Sequence, residues 1–410
     1  MSSRAKLGTM PVMDTQDRKT LGVVSAAHTL VHLIEGALPP LIPLLLGVFG
    51  TDYFHLGLVM SVFSYTFGLG AFPSGALVDR VGPTRLLVLY LFGAGILCIS
   101  VLFVQKLLPF AILMGFLGIL GSFYHPAANT IISLGIKERG KAFGINGIAG
   151  SLGTSLVPFV AAFLGARWGW KSPYVLFGVG VLIVGFFSLS LPSYRMQSEG
   201  QKESNPSKEG TDRGTNPLIG RALVLFYLSC AIAGMGNRGV LTFLPSYLGS
   251  KFTLTSLGLD SVRVGGVFAT LTLIAGAAGQ YIAGALVDRY RPQRLYLFTL
   301  LISASSILLM AFTGGLPLFV GAVGFGFFSF AVQPMQNTIV AKLLPKHRQG
   351  IGYGFMFFMT FGIGSVAAAF SGWLADRFGL SRVFLAMGLC YVASMCTMYG
   401  AEWKGRKQGE

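Results

Sequence analysis

Four ionisable residues lie in apolar stretches of this sequence. His28, His32 and Glu35 follow one another at intervals of four and three residues, which places them on one face of a helix. His125 lies in another apolar stretch. An ionisable side chain among apolar residues is costly unless it faces a cavity or a partner, and histidine titrates near neutral pH. We therefore predict that these four residues take up and release protons.

Two other interpretations of the same residues stay open. Two histidines four residues apart, with a carboxylate nearby, also have the spacing of metal ligands. Hydrogen bonding between helices is the structural alternative. We predict no bound metal and no cofactor.

Arg238 is a basic residue within an apolar stretch. Its guanidinium matches a carboxylate, phosphate or phosphonate, so Arg238 is predicted to pair with Glu35 or to bind an anionic group of a substrate. An arginine that extends to the membrane surface is the alternative. Amide side chains predicted to hydrogen-bond the same substrate, although amides also hold helices together, are Asn129, Asn237, Gln333, Gln336 and Asn337.

The elements that position these residues are indicated by composition. The 410 residues are 53% hydrophobic and 11% charged, with a mean hydropathy of +0.68, which excludes an ordinary soluble protein. The net charge of +16 comes from Lys and Arg in short loops between apolar stretches. That distribution follows the positive-inside rule, so it predicts cytoplasmic termini and no nucleic-acid partner.

An apolar stretch of about 20 residues is long enough to cross a membrane. The succession of such stretches along this protein predicts twelve helices in two halves of six. A polar segment divides the halves and cannot bury apolar area. The predicted divisions are an N-terminal tail (1–20), a first half (21–192), a linker (193–218), a second half (219–401) and a C-terminal tail (402–410).

The two halves repeat each other. Gly-Ala-Leu-Val-Asp-Arg occurs at residues 75–80 and again at 284–289. A weaker copy at 372–379 contains Asp376 and falls at the end of the eleventh predicted helix. It would lie on the opposite membrane face, as inverted repeats within each half require.

Twelve helices split six and six, with a G-x-x-x-D-R-x-G-x-x-R loop after the second, resemble the major facilitator superfamily. The resemblance implies an all-α membrane protein of two pseudosymmetric six-helix bundles, whose first, fourth, seventh and tenth helices line a cavity. It also implies that the loop is a latch that stabilises the outward-facing state. The predicted latch residues are Gly75, Asp79, Arg80, Gly82 and Arg85, with Asp288, Arg289 and Arg294 in the second copy, where Arg291 replaces the middle glycine.

A narrower resemblance rests on two short segments. Phe-Tyr-His-Pro-Ala-Ala at 123–128 and Arg-Gly-Lys-Ala-Phe-Gly at 139–144 are similar to the fosmidomycin-resistance type of efflux protein. The sequence contains no Walker loop, nucleophile elbow or His-Glu-x-x-His motif, so an enzyme is not expected.

The predicted function is secondary active transport by alternating access. We expect proton-coupled export of a small polar or anionic compound by a monomer in a bacterial inner membrane. The alternatives are proton-coupled uptake of an organic anion, and divalent-metal transport through His28, His32 and Glu35.

Overall fold

The computed structural model describes residues 13–194, 217–287, 289–345 and 349–406. These residues are almost entirely helical. The helices are α1 (Thr15–Glu35), α2 (Leu38–Phe49), α3 (Tyr53–Val81), α4 (Pro83–Ser100), α5 (Leu107–Gly121), α6 (Tyr124–Gly135), α7 (Arg139–Trp168), α8 (Ser172–Ser188), α9 (Pro217–Lys251), α10 (Ser261–Leu286), α11 (Pro292–Phe312), α12 (Gly315–Leu343), α13 (Gln349–Phe357), α14 (Val366–Phe378) and α15 (Leu380–Arg406).

Twelve membrane crossings are formed by these helices, as the sequence predicts. Within the described ranges, eleven segments are long and apolar enough to cross a membrane. The shorter apolar helix α8, which is sixth in chain order, brings the number to twelve. Most of the predicted linker and tails (1–12, 195–216 and 407–410) lies outside the described residues. The sequence-based domain boundaries therefore stay predictions.

Three crossings are broken near their middle. The first crossing is interrupted between α1 and α2, directly after Glu35, and α2 begins with prolines in its first turn. The fourth is interrupted between α5 and α6, two residues before His125. The eleventh contains a π-helical turn at Phe358–Gly362. Such irregular backbone is tolerated in a membrane where it lines a cavity or is buried in protein.

The two halves meet through α3 with α14 and through α7 with α10. We call the side on which α1 begins and α15 ends the termini face, and the other side the far face. A side chain at Gly57 or Gly372, near the far face, would collide with the backbone of the other half, whereas one at Gly75 or Gly284 would meet no atom within 4 Å. The halves are therefore closed at the far face and apart at the termini face.

Glycines at equivalent positions make the turns that end three of the repeated helices. Gly82, Gly169 and Gly379 have φ angles of 92°, 87° and 83°, which residues with a Cβ rarely adopt. In the fourth copy, Arg291 has a φ of −67° and begins α11 in an extended conformation. The copy in which Arg291 replaces the glycine thus forms a different turn.

Candidate transport site

Glu35 joins the two halves of the protein at the break between α1 and α2. Its Oε1 accepts hydrogen bonds from Nη1 and Nη2 of Arg238, both at 3.3 Å. Its Oε2 lies 3.0 Å from Nδ1 of His32. The side chains of Glu35, His32 and Arg238 are 18%, 20% and 12% exposed. They form a largely buried ion pair between α1 and α9.

The histidines extend this contact into the first half. His32 Nε2 lies 3.2 Å from His28 Nε2, and His28 Nδ1 lies 2.7 Å from the backbone oxygen of Asn146 on α7. The Tyr124 ring stacks on His28 with centroids 4.9 Å apart. Its hydroxyl lies 3.0 Å from Asn146 Oδ1. Every one of these side chains is therefore held by a neighbour.

His125 completes the group from α6. Its ring is edge-on to His28, with centroids 5.2 Å apart, and one nitrogen from each of His28, His32 and His125 lies within 4.8 Å of the others. Glu35 does not belong to that convergent group, because it meets the other nitrogen of His32 and also pairs with Arg238. The predicted His28, His32 and Glu35 ligand set is therefore not assembled around one point.

Phe361 is a site residue that the sequence analysis missed. The Arg238 guanidinium carbon lies 5.7 Å from the centroid of its ring, and Phe361 belongs to the π-helical turn of the eleventh crossing. A cation over an aromatic face is attracted by the ring quadrupole. The signal in the sequence was weak, since a phenylalanine in a Gly-rich apolar stretch is also an ordinary packing residue.

The predicted amide residues occupy different surroundings. Asn129 is exposed one turn beyond His125, and Gln333 is exposed and accepts a 3.4 Å hydrogen bond from Gln280. Gln336 is buried and donates to the Tyr296 hydroxyl on α11. The side-chain oxygens of Asn237 and Asn337 are buried without a hydrogen-bond partner among the described residues. A buried oxygen of this kind is costly unless a ligand or water reaches it.

The predicted latch lies at the open termini face. Asp79, Arg80 and Arg85 are exposed, as are Arg289 and Arg294 of the second copy. No ion pair of Asp79 occurs within the described ranges. Asp288 lies outside the described residues.

The weaker copy of the motif behaves differently at the closed far face. Asp376, at the end of α14, accepts hydrogen bonds from the backbone N–H groups of Tyr53 at 3.0 Å and Phe54 at 2.8 Å. These are first-turn groups of α3, which have no partner within their own helix. A carboxylate from the second half thus caps a helix of the first.

Two six-helix halves around a polar centre, in a chain with twelve apolar crossings, define an integral membrane transporter. The family model of the Major Facilitator Superfamily matches residues 24–369, and the chain belongs to that superfamily. Its members are transporters rather than enzymes.

Relatives of known name lie at moderate distance. The multidrug resistance protein MdtG of Escherichia coli is 26% identical over 334 residues, 79% of each chain. A protein of Cupriavidus necator named "Probable sulfoacetate transporter SauU" is 27% identical over 287 residues, 66% of this chain and 64% of its own. The bacterial homolog of the lysosomal transporter Spinster superposes with a TM-score of 0.82 at 15% identity, covering 98% of this chain and 99% of its own. That likeness supports the fold, while the narrower fosmidomycin-resistance resemblance stays a prediction.

Proposed function

We propose that this protein transports a small organic anion together with a proton, with the anion bound by Arg238 and the proton carried through Glu35. The observation that carries the proposal is the ion pair between these two side chains, which come from different halves. Asn129, Asn237, Gln333 and Asn337 are proposed to contact the anion, whereas Gln336 is engaged with Tyr296.

The ion pair makes binding of the anion and of the proton interdependent. Both terminal nitrogens of Arg238 face Glu35 Oε1, so an anion must displace the carboxylate to occupy the guanidinium. Protonation of Glu35 removes that competing charge. Because coupling between two sites is reciprocal, the anion then favours the proton as much as the proton favours the anion. Such coupling carries both in the same direction.

The ion pair also supports the return of the empty transporter. Once the anion and the proton have both left, Arg238 and Glu35 neutralise each other across the two halves, which avoids an unpaired buried charge. With an anion and a proton bound, the anion neutralises Arg238 and the proton neutralises Glu35. Both the loaded and the empty transporter can therefore convert between the state open to one membrane face and the state open to the other.

In a bacterial inner membrane with cytoplasmic termini, the inward proton gradient would drive uptake by this coupling. The name of the sulfoacetate relative supports an organic anion as the substrate. The names of the multidrug relatives support the sequence-based expectation of export, which stays a prediction. The two directions differ in the sign of coupling, which can be measured.

The test uses purified protein in liposomes that contain a pH-sensitive dye, with radiolabelled sulfoacetate as the first probe of a panel of organic anions. An acidic exterior should drive accumulation of an anion, and an outside anion should acidify the interior. Glu35→Gln should lose both effects, whereas the surface carboxylate variant Asp52→Asn should keep them. Anion entry that makes the interior more alkaline would establish exchange with protons and overturn cotransport.

A further inference from the structure

We infer that the chain of contacts from Asn146 through His28 and His32 to Glu35 holds one proton more than two neutral histidines and an ionised glutamate supply. The transport meaning of this proton depends on the proposed function, but its presence depends on the hydrogen-bond geometry alone. The relevant contacts are 2.7, 3.2 and 3.0 Å long.

The hydrogens are counted from the two ends of this chain of hydrogen bonds. A backbone carbonyl such as that of Asn146 accepts but cannot donate, so His28 Nδ1 must carry a hydrogen. If His28 is neutral, its Nε2 then has a lone pair and no hydrogen. At the other end an ionised Glu35 also accepts only, so His32 Nδ1 must carry a hydrogen and a neutral His32 leaves Nε2 bare. Two bare nitrogens would then face each other at 3.2 Å.

One additional proton resolves this contact. Three hydrogen bonds need three hydrogens, whereas two neutral imidazoles and a carboxylate carry two. With the third proton on His28 Nε2 or His32 Nε2, the 3.2 Å contact becomes an N–H···N hydrogen bond. Loss of that proton turns the same contact into a repulsion between lone pairs, so deprotonation should separate the two rings.

The additional proton can move along the chain without breaking any of the three hydrogen bonds. When it is on His28 Nε2, His28 is the cation. Transfer to His32 Nε2 makes His32 the cation, and transfer of the Nδ1 hydrogen of His32 to Glu35 Oε2 makes the glutamate neutral. Each step moves one hydrogen between the two atoms of an existing contact. The chain therefore links the glutamate at the junction of the halves to a histidine inside the first half.

The other ionisable groups around the chain determine where the proton resides. Arg238 pairs with Glu35 Oε1 and so favours the ionised glutamate, with the proton on the histidines. An anion that binds Arg238 would draw its guanidinium away from Glu35, and this would favour transfer of the proton to Glu35. His125 lies edge-on to His28, and the Tyr124 hydroxyl is directed to acceptors other than the two histidines. Arg238 is therefore the group that couples anion binding to the position of the proton.

A proton fits the central contact better than a metal ion does. The His28 and His32 nitrogens are at hydrogen-bonding distance, and Glu35, the nearby carboxylate, is occupied by His32 and Arg238. A metal ion would need His125 as well, and these nitrogens are spread over as much as 4.8 Å. The proton requires no rearrangement.

Nitrogen-15 NMR of histidine-labelled protein in lipid bilayers tests the inference directly, without any substrate. A scalar coupling between the Nε2 nuclei of His28 and His32 is expected near neutral pH, because it is transmitted only through a shared hydrogen. It should disappear in His28→Gln and persist in His55→Gln, since His55 is an exposed histidine bonded to Asp52.

Two results would overturn the inference. One is a pair of uncoupled, hydrogen-free Nε2 signals throughout the pH range in which the fold is kept. The other is absence of the coupling in metal-free protein, combined with binding of one equivalent of Zn²⁺ that shifts the Nε2 signals of both His28 and His32. Failure of anion transport with the coupling intact would instead contradict the proposed function and leave the shared proton standing.

Discussion

The hydrogen-bonded histidines of the first half and the buried amides of the second half differ in how completely they are bonded. In the first half, His28, His32 and Asn146 form a continuous chain that ends on Glu35. In the second half, the Arg238 guanidinium pairs with Glu35 and lies over one aromatic ring. The buried amide oxygens of Asn237 and Asn337 have no partner among the described residues. The continuous hydrogen-bonded chain suits the transported proton, whereas the unpaired amide oxygens suit a bound anion. We infer that the halves divide the work of coupling and of substrate binding.

Removal of the guanidinium should have the largest effect on this division. Arg238→Ala should weaken anion binding by about 1.5–3 kcal/mol, the usual value of a hydrogen bond to a charged group, which corresponds to roughly 10- to 150-fold in Kd. Calorimetric titration of the purified protein with the transported anion measures it. Unchanged affinity would remove Arg238 from the substrate site.

Substitution by lysine sharpens the same point. Arg238→Lys keeps the charge but not the two donors that converge on Glu35 Oε1. We expect affinity between those of the native protein and Arg238→Ala. Full recovery in the same titration would show that charge alone is recognised.

The amides offer a matched pair on one helix. Asn337→Ala should weaken anion binding by about 0.5–1.5 kcal/mol with little loss of stability, because its oxygen has no partner among the described residues. Gln336→Ala should instead lower the thermal unfolding temperature and leave affinity unchanged, because Gln336 bonds Tyr296. The reverse pattern would exchange their roles.

The smallest expected effect concerns the two membrane faces. Asp376 caps α3 at the closed far face, whereas Asp79 is exposed at the open termini face. Because a carboxylate at a helix N-terminus contributes modestly, Asp376→Asn should reduce the population of this state about two- to fivefold. Asp79→Asn, which removes a contact expected in the opposite state, should increase it.

Pulsed electron-resonance distances between spin labels on α3 and α14 measure these populations. Shifts of both variants in the same direction would contradict opposite roles for the two motif copies. An unchanged distribution for Asp79→Asn would reduce the predicted latch to a membrane anchor.

Much of the fold was predictable because membrane helices are encoded by long apolar stretches with charged loops. The repeat of Gly-Ala-Leu-Val-Asp-Arg likewise indicated two related halves. The break after Glu35 was not predicted, because a glycine such as Gly36 also occurs within continuous helices. Burial within the first half is what makes the irregular backbone there tolerable, since Gly36 lies against Val157. At the break in the fourth crossing, Ser122 likewise lies against Ser74.

The candidate site was predictable in its charges but not in its connections. Helical spacing placed His28, His32 and Glu35 on one face, and Arg238 was predicted to pair with Glu35 or to bind an anion. The bond from His28 to the backbone of Asn146 depends on how α7 packs on α1, which no local pattern in the sequence encodes. The same holds for Phe361, which approaches Arg238 through the π-helical turn.

Counterflow of a labelled anion in proteoliposomes at equal pH on both sides tests most directly the division between a proton-carrying glutamate and an anion-binding arginine. Glu35→Gln mimics the neutral side chain, so it should keep counterflow while losing accumulation driven by a pH gradient. Arg238→Ala should lose both. Loss of counterflow in Glu35→Gln, or normal counterflow in Arg238→Ala, would contradict the account.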